Sequence, residues 1–173
     1  MTLTTALLSE LETEAAVTRR LLERVPEAHF TWKPHEKSSS LGQLALHVAS
    51  LPQQLTEFVV GDRLDVATVD FRQPTPRSHA ELMAAFDAGL KTASSFLATL
   101  DDLRAAGMWR LVAQGTDLLA APRAAVIRTF MFNHLYHHRG QLLVYLRLLD
   151  VPVPSVYGPT ADENPFAAAV QAV

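Results

Sequence analysis

Seven histidines, at positions 29, 35, 47, 79, 134, 137 and 138, hold most of this chain's capacity for chemistry. Cysteine is absent, so there is no thiolate nucleophile, thiolate metal ligand or disulfide. His134 and His138 stand four apart. On a helix, an i, i+4 pair brings two ring nitrogens to one face, where they can share an ion about 2.0–2.1 Å from each. Counting about 100° per residue puts both in the middle of an apolar stripe of Ile127, Phe130, Met131, Leu142, Tyr145 and Leu149. The same count leaves His137 on the flank and turns Arg128, Arg139 and Arg147 to the opposite, polar surface. His47 shares a second stripe with Leu44, Leu51, Leu55 and Phe58, flanked by Gln43 and Gln54. The expectation is therefore a buried set, His47, His134 and His138, converging from two helices on one cation. Three neutral imidazoles suit zinc, nickel, iron or copper better than magnesium or calcium. With only three protein ligands, further positions stay open to water or substrate, as in catalytic sites. The competing reading is three hydrogen-bonded core histidines and no metal, at the expense of desolvating three imidazoles without a shared purpose.

Other residues are weighed around that centre. Gln141, one turn past His138, can orient a ligand or make an ordinary interhelical hydrogen bond. Gln43 and Asn133 are candidates to hold the ligand imidazoles from behind. Arg139 can receive an anion, although its phase favours a solvated face or a salt bridge. Trp32 and Trp109 read as core anchors. No acid stands beside the three histidines in sequence. Glu57 and Asp87 are the helix-borne acids considered as a general base, and neither is favoured. There is no G-x-S-x-G elbow, phosphate-binding loop or dinucleotide fingerprint.

Four helical segments are expected to position these side chains. The first spans about residues 3–25 and ends at Pro26. The second begins at Ser39 or Ser40, either a good N-cap, and runs to Gly61, with Pro52 expected to kink it or open a local turn. Residues 61–77 read as a crossover loop with two prolines. The third helix starts at Ser78 and runs through Leu100. Residues 101–121 allow either a short strand pair around Gln114-Gly115-Thr116 or a packed loop. The fourth helix starts near Pro122, a favoured first-turn residue, and continues to about Asp150. VPVPSVYGP excludes further helix, and ADENPFAAAV offers one last helical turn. A single all-α domain, a four-helix bundle with a long crossover, fits these lengths; an irregular helical array is the alternative.

Composition narrows the classes. With 49% hydrophobic and 19% charged residues the chain reads as globular rather than disordered. A net charge of −3 offers no basic excess to displace counterions from nucleic acid. No apolar run reaches the roughly 18–20 residues of a membrane span, and the N-terminal segment reads as a helix rather than a signal peptide. A soluble, cytoplasmic protein is expected, with no membrane or nucleic-acid partner.

The segments FTWKP, SLGQLALHVA and NHLYHHRGQLLVYLRLLDVPVPSVYG, at residues 30–49 and 133–158, resemble the DinB superfamily. Its members combine an aromatic-x-Pro element, a serine-initiated helix with one histidine, and a late H-x-x-x-H-R-G-Q helix. The resemblance implies an up-up-down-down bundle, a divalent metal (zinc, nickel or iron) on His47, His134 and His138, and commonly a homodimer. Some related proteins are transferases or isomerases that use a low-molecular-weight thiol such as bacillithiol or mycothiol. The implied function is a metal-dependent enzyme acting on a small-molecule substrate, by thiol transfer or metal-assisted hydrolysis. A non-catalytic stress-response bundle acting through its dimer surface is the other class. With no cysteine in the chain, a thiol nucleophile has to come from outside.

Overall fold

A computed structural model describes residues 2–167. Three long helices come first: α1 (Leu3–Leu22), α2 (Leu41–Val60) and α3 (His79–Thr99). The short helix α4 (Asp102–Ala106) leads into a hairpin of β2 (Met108–Ala113) and β3 (Thr116–Pro122). A continuous helical rod follows, made of α5 (Arg123–Val126), a π-helical segment (Ile127–Asn133) and α6 (His134–Leu148). α2 packs against α3 and α6, and α1 packs against α3.

The fold is therefore mostly helical but not all-α, which corrects the expectation from the sequence. The crossover contributes a third strand, β1 (Arg63–Asp65), which pairs in parallel with β2. β2 and β3 are antiparallel, with an irregularity between Leu111 and Val112. Ala113 faces Thr116 across a two-residue loop. Its residues Gln114 and Gly115 take φ of 49° and 83°, the positive pair that matches hairpin twist. Two anchors clamp this sheet to the end of α2. Trp109 Nε1 donates to the Phe58 carbonyl at 3.0 Å. The buried Arg123 guanidinium donates to the Val59 and Gly61 carbonyls and pairs with Asp62, satisfying acceptors that a helix C-terminus leaves open.

Capping residues set the start of α2. Ser40 accepts from Gln43 N, and the Gln43 side chain accepts from Ser40 N at 2.8 Å, a reciprocal capping box. α2 then continues through Pro52 as helix, so of the two outcomes expected there, a kink or a local turn, the turn does not form. The aromatic-Pro element docks just ahead of it, where Leu41 N donates to Trp32 O and Gly42 N to Phe30 O, both at 2.9 Å. That approach explains Gly42. A Cβ there would lie 2.9 Å from Phe30 Cβ and 3.0 Å from the Phe30 carbonyl oxygen. Gly42→Ala should therefore lower the unfolding free energy by about 1–3 kcal/mol, as overpacking does, despite alanine's better helix propensity. Urea unfolding reads this directly, and an unchanged or raised midpoint would refute it.

Past α6, the exit segment is tied back to the C-terminal end of α1 and to α6. Arg20 and Arg24 both pair with Glu163, and Arg147 pairs with Asp162. A turn opens at Asn164, whose carbonyl accepts from Ala167 N at 3.2 Å; the remainder of the expected last helical turn lies outside the described residues. Among those residues, no helix is long and apolar enough to cross a membrane.

Candidate metal centre

α2 and α6 bring the three expected histidines together. His47, His134 and His138 each offer a ring nitrogen, and all three nitrogens lie within 4.8 Å of one another. The Nε2 atoms of His134 and His138 are 2.7 Å apart, and those of His47 and His134 are 3.5 Å apart. An ion about 2.0–2.1 Å from two nitrogens, at angles of roughly 90–110°, holds them about 2.8–3.4 Å apart, and the observed 2.7 and 3.5 Å flank that range closely. The donor set fits a transition metal in spacing and chemistry.

The tautomers favour this too. Gln141 Oε1 lies 2.7 Å from His138 Nδ1. An amide oxygen can only accept, so Nδ1 carries the proton and the His138 lone pair sits on Nε2, facing the other rings. His47 Nδ1 is buried without a hydrogen-bond partner.

All three rings are held neutral. Burial, then the proximity of His138 and His134, pushes His47 from 6.5 down to about 4, while the nearby Gln73 side chain opposes the shift. Burial followed by His138 lowers His134, against the Phe130 backbone. Burial also lowers His138, against its bond to Gln141. The sign for stability follows. Between pH about 6.5 and about 4 the unfolded chain binds more protons at His47 than the folded one. Metal-free protein should be fully stabilised above that window and lose stability as pH falls through it. Urea midpoints in chelator at pH about 7 and about 5 check this. His47→Leu should flatten the slope, and a wild type with no slope would refute the argument.

The phase count misplaces the histidines in one respect. They are half-buried at the edge of the core, while the buried face of α6 is Leu135, Arg139, Leu142 and Leu146. The π-helical segment explains the shift. Its wider turn inserts an extra residue, which moves the inward face by one, from 134 and 138 to 135 and 139. Arg139, expected on the polar surface, is consequently buried. It pairs with Glu14 at 2.6 Å and donates to Thr18 Oγ1 at 3.1 Å.

Of the residues expected around the centre, Gln141 does contact one of the three rings, that of His138. Gln43 instead serves the capping box and donates to the Gln73 carbonyl at 3.0 Å. Asn133 is exposed and makes no hydrogen bond to any of the three rings. His137 is exposed, its ring centroid 4.9 Å from that of His138. Trp109 is a buried anchor, and Trp32 packs edge-on against Tyr145. Glu57 accepts from Gln53, and Asp87 pairs with Arg19; neither lines a pocket at the triad.

Two cavities meet the triad. A polar one of about 370 Å³ opens on His47 and His138, with Ser38, Gln43, Gln73 and Gln141 in its wall. An apolar one of about 230 Å³ ends on His134. Gln73 on the polar side and Leu64, Val66 and Phe71 on the apolar side come from the crossover, whose sequence carries no recognisable signature.

The fold and this histidine arrangement define a DinB-type helical protein. The DinB family model matches residues 1–165, and the chain belongs to the DinB family. YrdA of Bacillus subtilis strain 168, described as uncharacterized, is 25% identical over 166 residues, covering 90% of this chain and 89% of its own. Crystal structures of two DinB-like proteins share the fold. One, from Bacillus cereus ATCC 10987, has a TM-score of 0.68 at 19% identity, with 87% of this chain and 95% of that one covered. The other, YjoA of Bacillus subtilis, has a TM-score of 0.68 at 20% identity, with 87% and 96% covered.

Proposed function

We propose that the protein is a metal-dependent enzyme that joins a small thiol to an electrophilic small molecule, with metal-assisted hydrolysis as the neighbouring chemistry. His47, His134 and His138 hold one divalent ion, zinc, nickel or iron. The convergence of their three Nε2 atoms at the mouths of two cavities supports this reading. When bound, the ion supplies Lewis acidity and favours the anion of a thiol or water at neutral pH. The chain's own residues do the rest. Gln141 fixes the His138 tautomer, and the serine and amide side chains of the polar cavity orient the thiol's polar groups. In the reaction a sulfur–carbon bond forms, the leaving group departs with its bonding electron pair, and the thiol proton passes to solvent. The up-up-down-down helix order, homodimeric state and cytoplasmic location belong to the same proposal.

The test is turnover by untagged, metal-loaded protein. Mycothiol, bacillithiol and glutathione are each offered with chlorodinitrobenzene, and p-nitrophenyl acetate is offered without thiol. Thioether formation with at least one thiol is expected, abolished by chelator and restored by metal. Ester cleavage alone would favour the hydrolase. No turnover in any arm would reject the enzyme in favour of a non-catalytic metal-binding bundle.

A further inference from the structure

We propose that the apolar cavity ending on His134 is a binding site for the uncharged hydrocarbon part, a single ring or short branched chain, of the molecule that reacts at the triad. Its wall includes Leu55 and Phe58 of α2, Trp109 of β2, Phe130 of the π-helical segment, and Leu64 and Val66 of the crossover. His134 is the only ionisable residue in that wall. The Trp109 N–H is already committed to the Phe58 carbonyl at 3.0 Å. A charged group entering here would be desolvated without a partner, whereas an apolar group gains by leaving water. The volume of about 230 Å³ exceeds the roughly 150 Å³ of an engineered apolar cavity that holds benzene, so a ring with a short substituent fits.

The two cavities meet the triad through different histidines, His134 for the apolar one and His47 with His138 for the polar one. A hydrocarbon seated in the first therefore faces the ion from a different direction than a polar co-substrate seated in the second. The crossover walls both, with Leu64, Val66 and Phe71 on the apolar side and Gln73 on the polar side. The bond from Gln43 Nε2 to the Gln73 carbonyl, 3.0 Å long, ties this segment to α2. The segment between α2 and α3 thus contributes to the selectivity of both cavities.

Occupancy of the cavity does not depend on the ion; that the bound group faces the ion rests on the function proposed above. Ethylbenzene and benzoate are titrated into zinc-loaded, cobalt(II)-loaded and chelator-treated protein, with methyl and indole NMR signals as the readout. Ethylbenzene should shift the Val126 and Leu55 methyls and the Trp109 indole N–H saturably in all three forms, and benzoate should bind at least about tenfold more weakly. Val66→Trp, which fills the cavity, and Leu64→Asp, which charges its wall, should each weaken ethylbenzene at least about tenfold while metal content stays unchanged. In the cobalt form, protons of bound ethylbenzene should be broadened relative to the zinc form. The proposal is overturned by the absence of saturable shifts, by undiminished binding in both variants, or, in protein shown to carry cobalt, by bound ethylbenzene that stays sharp. A protein that retains no metal but still binds ethylbenzene sinks the enzyme reading and upholds the cavity.

Discussion

Arg139→Ala is expected to destabilise the protein by about 3–5 kcal/mol, the loss typical when one partner of a buried ion pair is removed. The Arg139 side chain is 2% exposed and that of Glu14 10%, so truncation strands the Glu14 carboxylate in a poorly solvated site. Tyr157 still donates to Glu14 Oε2 at 2.9 Å, but one neutral donor does not replace a guanidinium. The arginine also lies against two aromatic rings, 5.2 Å from the Tyr136 centroid and 5.1 Å from that of Tyr157, so packing is lost with the charge. Urea unfolding of Arg139→Ala beside the double variant Glu14→Leu/Arg139→Met separates these contributions. The double variant should recover most of the loss, because a buried ion pair replaced on both sides by apolar groups is often neutral. A single variant within about 1 kcal/mol of wild type would show that the pair carries no such weight.

Arg139 also marks where reading the sequence stopped working. Start signals in the chain are local, and they were legible: Ser40 and Ser78 cap α2 and α3 where expected, because a side-chain oxygen answers a free amide within three residues. The choice of His47, His134 and His138 was legible for a similar reason, since i, i+4 spacing survives small errors of phase. Which face of α6 is inward was not. It depends on one extra residue in the Ile127–Asn133 turn, and π geometry has no reliable sequence signature. The consequence is chemical. An unbroken α-helix would have sunk His134 and His138 into the core and left Arg139 in water. The slip buries the arginine against α1 and leaves the imidazoles at the rim, where two cavities reach them. The sheet was half legible. Gln114-Gly115 suggests a turn, but β1 forms only because the distant β2 pairs with it, and no local pattern in Arg63–Asp65 announces that partner. Part of each cavity wall inherits the same blindness, for Leu64, Val66 and Phe71 of one and Gln73 of the other come from the crossover.

Untagged protein should carry about one equivalent of a divalent transition metal, and His47→Ala, His134→Ala and His138→Ala should each nearly abolish it. Competition with a chelator should show a loss beyond the 10–100-fold typical of residues that only support a ligand. Gln141→Leu should fall within that range, because it frees the His138 tautomer without removing a nitrogen. His137→Ala should stay near wild type, its ring being exposed and outside the set. The geometry argues against three merely packed histidines. With the His138 proton on Nδ1, its Nε2 is a bare acceptor 2.7 Å from His134 Nε2, which a single N–H on His134 could satisfy. That leaves His47, with Nε2 at 3.5 Å from the same nitrogen and a buried, unpartnered Nδ1. Either tautomer of His47 then leaves its N–H without a well-placed acceptor, whereas one cation takes all three Nε2 lone pairs together. Equal metal content in wild type, His47→Ala and His138→Ala would break that argument at its root.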